Sequence, residues 1–329
     1  MFERFGAPAF LREARGGEEK DPKATIFRTM LVFLLAYVGG SFLQWTVLSA
    51  VSSVALFFDP NFYAMLPKET LTNEQMQLWF KEAEAYVQNF MLNSDAVLVA
   101  QIFSTVVFAG VAILVCRLIE KRRVSSMGIR RTGAGSSALL GAVMAVLLLG
   151  FSVGFAVFFH GIDFLGAAPL RPGVLCLLVF GIVLESVAEE LMFRGYLMVS
   201  LSRGHSLLLG ALFSSLIFTL LHATYGTFFS WVGFLNLFLF GFLLALVTIR
   251  TGNLIGAMVL HALFAIGEGV VIGTPYYGAA LPATVLSFAS PDRYAVIGGG
   301  VAGLSGGIAV TCALLLGIVF LLGQKTKIK

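Results

Sequence analysis

Charge is scarce in this sequence: only 12% of its 329 residues are Asp, Glu, Lys or Arg, whereas 58% are hydrophobic. Cysteine is scarce as well, and none of the three cysteines stands in a Cys-x-x-Cys pair. The composition therefore excludes an ordinary soluble globular domain, and the cysteine spacing argues against a disulfide framework or a structural zinc site. Cys116, Cys176 and Cys312 are instead expected to be small core hydrophobes. The formal net charge of +4 is small, so it gives no reason to expect a nucleic-acid partner.

Long apolar runs stand where charged residues are missing. A helix needs about 20 apolar residues to cross the hydrocarbon layer of a bilayer. The first run is too long for the apolar region of an ordinary cleaved signal peptide, so we expect it to remain as a helix. We predict an all-α polytopic membrane bundle of about eight transmembrane helices, surrounded by lipid. The runs are 29–57, 96–118, 136–159, 173–199, 207–224, 228–249, 254–272 and 294–323.

The one sizeable polar stretch, residues 59–95, lies between the first two predicted helices. Within it, residues 70–74 resemble the start of a helix. The stretch from there to Phe90 has the composition of an amphipathic helix at the membrane surface. We expect this helix to act as a cap or as a lid that faces the substrate.

Three glycines near the C-terminal end, Gly299, Gly303 and Gly307, repeat at intervals of four residues inside the last apolar run. Such spacing lets two membrane helices approach closely. We therefore expect these glycines to serve the packing of the last helix rather than chemistry.

Lysine and arginine predict the orientation, because basic residues are enriched in cytoplasmic connections. With eight crossings, the basic regions fall on one side, which we predict to be the cytoplasmic side and to hold both termini. We expect the membrane to be a bacterial plasma membrane. The basic regions are the tail 1–28, the connection with Lys121, Arg122, Arg123, Arg130 and Arg131, the turn with Arg194 and Arg203, Arg250, and the tail with Lys325, Lys327 and Lys329.

Ionisable side chains inside the apolar segments are informative, because a charge at the membrane centre costs roughly 3 kcal/mol on insertion scales. Glu190 and Arg194 stand four residues apart with the acid first, which favours an ion pair along one helix face. Glu189 points about 100° away and needs another partner. Glu189 is therefore the candidate base that accepts a proton from water. The full set is Glu185, Glu189, Glu190, Arg194, His222, His261 and Glu268.

His222 is the expected partner of Glu189. If the fourth and fifth helices form an antiparallel hairpin, residues equally far from its midpoint lie at the same depth. The midpoint of 189 and 222 falls in the turn-like stretch 202–206. About 16 residues at 1.5 Å each put the pair about 25 Å from that turn. We therefore expect these helices to extend into the cytoplasm near Arg194 and Arg203.

In this order, the motifs resemble those of the CPBP family of intramembrane proteases, which contains the Rce1-type CAAX prenyl endopeptidases and bacterial bacteriocin-processing and self-immunity proteins. The family's final His-x-x-x-Asn is matched only at His261. The other matches are Glu189, Glu190 and Arg194 for Glu-Glu-x-x-x-Arg, Phe218 and His222 for Phe-x-x-x-His, and Phe238 and Gly241 for Phe-x-x-Gly.

The resemblance implies a role for each polar residue of these motifs. The family's asparagine falls on Ala265, and losing one oxyanion donor typically costs about 10²- to 10³-fold in rate. Asn236 could supply a donor from the sixth helix. The implied roles are Glu189 as the catalytic base that activates water with His222, Glu190 and Arg194 as stabilising residues, and His261 as a residue that helps to bind the oxyanion.

The resemblance also organises the chain. We expect residues 136–272 to form a CPBP-like catalytic helix core. Residues 1–28 are the predicted N-terminal tail, and residues 29–135 hold the first two spanning helices and the polar loop. Residues 273–329 hold a loop, the final helix and a basic tail.

Structural roles remain open for several of these residues. An intrahelical ion pair inside a bundle explains Glu190 and Arg194 as well as a catalytic role does. Glu185 shares a helix face with Glu189, and Glu268 lies two turns beyond His261. Both acids could line a water-filled cavity.

The leading hypothesis is an intramembrane endopeptidase that cleaves a membrane-associated peptide or protein and needs no cofactor. In a variant, Glu189, His222 and His261 bind zinc with water in the fourth position, although no His-Glu-x-x-His is present. A proton-coupled transporter is an alternative, because buried acids and histidines also form proton relays. A non-catalytic immunity or scaffold protein is another, given Ala265. The substrate is not specified by the sequence.

Overall fold

The computed structural model describes residues 6–16, 21, 25–222, 230–276, 278 and 280–324, and within these residues it is a bundle of helices. Four of these helices are long and apolar enough to cross a membrane: Ile26–Phe57, Ala134–Phe158, Trp231–Thr251 and Ile255–Ile272. Val106–Ile119, Leu207–His222 and Ile308–Gly323 are shorter apolar helices. The predicted helical membrane bundle is confirmed, and the number of eight spans stays a prediction.

The elements follow the first seven predicted apolar runs closely, with a break at Thr105 inside the second run, whereas the last run is helical mainly from Ile308 onward. The helices are α1 (Ala9–Ala14), α2 (Ile26–Phe57), α3 (Pro60–Met65), α4 (Asn73–Asn93), α5 (Asp95–Ser104), α6 (Val106–Leu114), α7 (Ala134–Phe158), α8 (Pro172–Glu190), α9 (Val199–Gly204), α10 (Leu207–His222), α11 (Trp231–Thr251), α12 (Ile255–Ala265), α13 (Ala295–Gly298) and α14 (Ile308–Gly323). The strands are β1 (Asp163–Ala167) and β2 (Leu286–Ala289), which pair in antiparallel fashion and were not expected from the sequence. Segments of π-helix continue α6 over Val115–Ile119, α8 over Leu191–Met198 and α12 over Ile266–Ile272.

The polar stretch after α2 folds into two helices that are tied together. Asp59 caps α3 and also accepts a hydrogen bond from Tyr86 of α4, at 3.0 Å. The backbone N–H of Phe62 holds the pKa of Asp59 below its ordinary value. Thr72 caps α4 in a capping box with Gln75, so the helix start expected in residues 70–74 is confirmed. A role of this segment as a lid stays a prediction.

The basic regions that the structure describes gather at one end of the bundle, except for Arg194, which is fully buried in the segment Leu191–Met198 and does not belong to the basic turn with Arg203. Arg130 pairs with Glu13 of the N-terminal segment at 3.5 Å. Arg15 donates hydrogen bonds to the backbone oxygens of Ser202 and His205, at 2.7 and 3.2 Å. The assignment of this end to the cytoplasm stays a prediction. Residues 1–5, 17–20, 22–24 and 223–229 and the basic tail 325–329, with Lys325, Lys327 and Lys329, lie outside the described residues.

Helices α7 and α12 touch through their backbones. A Cβ atom on Gly141 would lie 2.2 Å from the carbonyl oxygen of Gly256, and one on Gly256 would lie 2.5 Å from Ser137 Oγ. Only glycine permits this approach, as at other close crossings of membrane helices. The crossing fixes the position of α12, which carries His261.

The expectation for Gly299, Gly303 and Gly307 was wrong. The last helix begins only at Ile308, and the three glycines lie before it in a series of short turns. Gly299 and Gly303 have φ angles of +90° and +78°, which a right-handed helix of L-residues does not contain. These glycines serve tight turns and not helix packing.

The three cysteines differ in burial. Cys116 is fully buried, as expected for a core hydrophobe, and Cys312 is half-buried. Cys176 on α8 is exposed on the outside of the bundle, so the core assignment was wrong for this residue.

Candidate active site

The charged motif lies where a regular helix changes its pitch. Glu189 and Glu190 end α8, and Arg194 lies in the π-helical segment Leu191–Met198, all of whose side chains are buried. A π-helix has more residues per turn than an α-helix, and such segments occur frequently at functional sites. The continuous helix Pro172–Gly204 therefore changes its register directly beyond the two glutamates.

Glu190 and Arg194 form the ion pair that their spacing indicates. Arg194 Nη1 lies 2.7 Å from Glu190 Oε1, and neither side chain is exposed. The same Oε1 atom lies 3.1 Å from Nδ1 of His261. The contact with His261 was not foreseen, because it depends on how α12 packs against α8. Glu190 thus connects the arginine to a histidine on another helix.

The guanidinium of Arg194 lies in a space that two neighbouring helices leave open. Its Cζ is 4.5 Å from the centre of the Phe218 ring, which is the geometry of a cation–π contact. A Cβ atom on Gly241 would lie 3.0 Å from Arg194 Nη2 and 3.2 Å from Ser215 Cβ. The glycine of the Phe-x-x-Gly motif therefore provides room for the arginine, a role that the motif alone did not reveal.

Glu189 lies between two histidines. Its Oε1 is 3.1 Å from Nε2 of His222, and its Oε2 is 3.7 Å from Nε2 of His261. The first distance is a hydrogen bond and the second is too long for one. The side chain of Glu189 is 18% exposed, whereas that of Glu190 is fully buried. The structure thus brings together the three residues that the sequence singled out, and Glu189 is the more accessible acid.

The hydrogen bonds assign the hydrogens on both imidazole rings. Nδ1 of His222 lies 2.8 Å from the carbonyl oxygen of Phe218, which can only accept, so Nδ1 carries a hydrogen. Nδ1 of His261 faces the ion-paired carboxylate Glu190 and carries one for the same reason. Both rings therefore direct Nε2 toward Glu189. The contact between Glu189 and His222 holds one shared proton, which lies on the acid or on the imidazole.

Aromatic rings pack against both histidines, whose side chains are largely buried. The Phe218 ring lies 4.1 Å from the His222 ring, centre to centre, and the Phe240 ring lies 5.3 Å from the His261 ring in an edge-to-face arrangement. Electrostatic interactions are stronger in such a low-dielectric environment than in water. The cluster is therefore suited to hold and move a proton.

Glu185 and Glu268 lie in the surroundings of this cluster. Glu185 Oε2 accepts a hydrogen bond from the Tyr276 hydroxyl at 3.3 Å. Glu268 accepts from the backbone N–H of Ser305 at 2.6 Å and from the Ser305 hydroxyl. Glu268 lines a cavity of about 40 Å³, which is enough for a water molecule. The cavity also contacts His261, Asn236, Ala265, Tyr276 and Ser305.

Asn236 does not supply the donor that Ala265 lacks. Its side-chain Nδ2 donates to the carbonyl oxygens of Ser305 and Gly307, both at 2.8 Å. Its Oδ1 accepts from the Thr311 hydroxyl at 2.6 Å. The amide thus braces the turn before α14, and its hydrogens are already used.

The predicted zinc ligands Glu189, His222 and His261 are close to one another. Within the part of the chain that the structure describes, however, no group of three or more His, Cys, Asp or Glu side chains has the arrangement of a metal site. Glu189 and His222 are hydrogen-bonded to each other, and His261 is bonded to Glu190. The zinc variant of the mechanism stays a hypothesis, as does the prediction that no cofactor is required.

The cluster lies in a part of the chain that matches the model of a known protein family. Residues 171–267, less than a third of the chain, match the model of the Rce1-like family, described as type II CAAX prenyl endopeptidase Rce1-like. The match begins at the start of α8 and includes every motif residue from Glu189 to His261. No curated protein matches the chain. The recognition of a CPBP/Rce1-type region from its motifs is therefore confirmed for residues 171–267 of this integral membrane protein.

Proposed function

We propose that this protein is an intramembrane endopeptidase that hydrolyses a peptide bond of a membrane-associated peptide or protein, in the manner of CAAX proteases. The observation that carries the proposal is the contact of one accessible carboxyl, Glu189, with His222 at 3.1 Å and its position 3.7 Å from His261. The match of residues 171–267 to an endopeptidase family supports this reaction class. Residues 136–272 are the proposed catalytic core.

In the proposed reaction, Glu189 with His222 takes a proton from water while the water oxygen attacks the peptide carbonyl carbon. The carbonyl π bond breaks, and its electron pair becomes the oxyanion of a tetrahedral intermediate. The intermediate collapses as the bond between carbon and nitrogen breaks. The proton held by the Glu189 and His222 pair then passes to the leaving amine, so that atoms and charge balance.

His261 and the ion pair have supporting roles in this proposal. In its doubly protonated form, His261 keeps the Nδ1 hydrogen bond to Glu190 and presents Nε2–H as a donor to the oxyanion. Arg194 compensates the charge of Glu190 inside the bundle. Because Ala265 provides no second side-chain donor, we expect slow hydrolysis, in line with the usual cost of one missing oxyanion donor. The substrate class is a membrane peptide or protein, and no cofactor is required.

Two matched variants test the proposal. Glu189→Gln and Glu268→Gln both replace one partly or fully buried glutamate of the bundle by its amide. Cells with wild-type protein and with each variant are compared by proteomics for an uncleaved precursor, and purified proteins are assayed on that precursor. We expect Glu189→Gln to lower the cleavage rate by about 10²- to 10⁴-fold. We expect Glu268→Gln to stay within a few-fold of wild type.

Three outcomes would contradict the proposal. Cleavage by Glu189→Gln at the wild-type rate would exclude Glu189 as the base. Proton-coupled flux in liposomes that disappears in Glu189→Gln, without any cleavage, would favour a transporter. Complementation by Glu189→Ala at normal expression would favour a non-catalytic immunity or scaffold role. Loss of cleavage after complete metal removal would instead favour the zinc variant of the mechanism.

A further inference from the structure

A second cavity lies at the basic end of the bundle, and its lining includes none of Glu189, Glu190, His222 and His261. Its volume is about 330 Å³, and it lies between the start of α2, the end of the helix Val106–Ile119 and the end of α9. No motif of the family match involves this cavity. Its wall is formed by Asp21, Arg28, Thr29, Val32, Ile119, Glu120, Lys121 and Arg203.

The two carboxylates in the wall are already compensated by arginines. Glu120 Oε2 lies 2.6 Å from Arg122 Nε and 3.3 Å from Arg203 Nη1. The Ser200 hydroxyl donates to the same oxygen at 2.8 Å. Asp21 is paired with Arg203 and also donates its backbone N–H to the Arg203 carbonyl oxygen at 2.9 Å. These carboxylates are therefore parts of the scaffold of the cavity.

The rim of the cavity carries an excess of positive charge. Arg28 and Lys121 are both exposed there, Arg28 in the first turn of α2 and Lys121 in the connection that follows the helix Val106–Ile119. With Arg203 in the wall and the buried Arg122 behind Glu120, four basic residues face two acids among the residues that the structure describes at this cavity. The excess attracts an anion, because attraction between opposite charges near a protein surface exceeds that in bulk water.

Lys121 is held at this rim by its backbone. Its φ angle is +52°, in the left-handed region that residues other than glycine adopt uncommonly. The residues on either side are fixed, because the N–H groups of Glu120 and Arg122 donate to Val115 and Cys116 at 3.1 and 2.9 Å. Such enforced conformations cluster at functional sites, including ligand-binding positions. The fixed backbone of residues 120–122 therefore holds Lys121 at the cavity.

The remaining wall is apolar and continues onto the outer surface of the bundle. Val32 and Ile119 line the cavity, and Ile119 and its neighbour Leu118 are 50% and 69% exposed. On α2, Leu31 and Leu35 are also exposed, at 46% and 67%. A ligand in the cavity would thus have cations at one end and a lipid-facing helix surface at the other. This combination fits an amphiphile and not a free anion.

We propose that this cavity binds the headgroup of an anionic phospholipid, with its phosphate between Arg28 and Lys121 and its acyl chains along α2 and the end of the helix Val106–Ile119. Basic pockets between membrane helices are known to hold acidic headgroups. The bound lipid would join α2 to the segment at residues 119–122 and, through Arg203, to the helix that carries Glu189. The proposal is independent of the proposed peptidase activity.

The test compares lipid retention by the full-length protein, purified in a neutral detergent and analysed by native mass spectrometry. The probes are phosphatidylglycerol and phosphatidylcholine with identical acyl chains, and inorganic phosphate as a competitor. The variants are Arg28→Gln, Lys121→Gln and Lys121→Arg. Lys68→Gln is the matched control, because Lys68 is exposed and lies in the segment beyond the far end of α2. Monodispersity in size-exclusion chromatography verifies that each variant is folded.

We expect wild type to retain phosphatidylglycerol over phosphatidylcholine. Arg28→Gln and Lys121→Gln should each weaken this preference by about fivefold, the usual effect of one basic residue near an acidic lipid. Lys121→Arg and Lys68→Gln should keep it. A wild-type protein without preference, an equal loss in Lys68→Gln, or full displacement of the lipid by inorganic phosphate would overturn the proposal.

Discussion

Two sites in this bundle hold acidic side chains inside the protein, one with Glu268 and the other with Glu189 and Glu190. The hydrogen-bond partners of the acids differ between the two sites. Glu268 is bound by neutral groups, the N–H and the hydroxyl of Ser305, which belong to one turn. Glu189 and Glu190 are bound by cationic or ionisable groups that come from other turns and helices, namely Arg194, His222 and His261. A buried acid therefore does not by itself indicate a catalytic residue.

Glu268 and Glu189 differ in whether a carboxylate oxygen is left without a hydrogen bond. Neutral donors from a fixed turn give Glu268 a static structural environment, which is the usual state of a buried polar group. Glu189 keeps one oxygen, Oε2, without a hydrogen-bond partner among the described residues, and a histidine Nε2 lies 3.7 Å from it. Glu189 thus keeps an unfilled acceptor beside an ionisable ring, whereas both oxygens of Glu268 are hydrogen-bonded and hold the turn at Ser305.

The largest effect is expected for Glu190→Gln, which leaves the buried Arg194 without its ion-pair partner. Removing one member of a buried pair typically costs about 3–5 kcal/mol. The change should therefore lower the free energy of unfolding strongly, measured by thermal or denaturant unfolding in detergent. The double variant Glu190→Gln/Arg194→Gln removes both charges and should recover part of the loss. A single variant as stable as wild type would mean that the ion pair is dispensable.

A smaller effect is expected for Gly241→Ala, which adds a methyl group 3.0 Å from Arg194 Nη2. Adding an atom to a well-packed site typically lowers the free energy of unfolding by about 1–3 kcal/mol. The methyl group should also displace the guanidinium of Arg194 and thereby lower the cleavage rate. Gly39→Ala is the matched control, because a Cβ atom on this helical glycine of α2 meets no atom within 4 Å. Equal stability and activity of the two variants would show that the space at Gly241 is not required by the arginine.

The smallest effect is expected for Ser305→Ala, which removes one of the two donors to Glu268 and keeps the backbone N–H. The loss of one hydrogen bond should cost about 1 kcal/mol, and the cleavage rate should stay within a few-fold of wild type. Ser136→Ala is the control, since its exposed hydroxyl bonds only to the nearby Gly133 carbonyl. A large loss of cleavage in Ser305→Ala, at unchanged stability, would place Glu268 in the catalytic cluster and remove the distinction between the two sites.

The features that the sequence predicted depend on local spacing or on hydropathy. The ion pair of Glu190 and Arg194 follows from their separation along one helix, and the contact of Glu189 with His222 follows from equal distances to a short turn. Both are found, at 2.7 and 3.1 Å. The membrane helices follow from runs of apolar residues, which only helices or closed barrels can carry through lipid.

The features that were missed depend on packing between distant segments or on backbone angles. Glu190 meets His261 because the glycine crossing of α7 and α12 sets the position of α12, and no spacing along the chain contains that information. Gly299 and Gly303 have the spacing of a helix-packing motif but positive φ angles. A glycine that permits close helix contact and one that permits a left-handed turn look the same in a sequence.

The short helix α1 has a consequence for the order of assembly during synthesis. Phe10 and Leu11 are fully or almost fully buried against Met198, Val199 and Ile249, which emerge from the ribosome much later. At the usual rate of translation, these partners follow on the order of ten to fifty seconds after α1. The apolar face of α1 therefore remains uncovered until α11 has been synthesised, so α1 docks late in the assembly of the bundle.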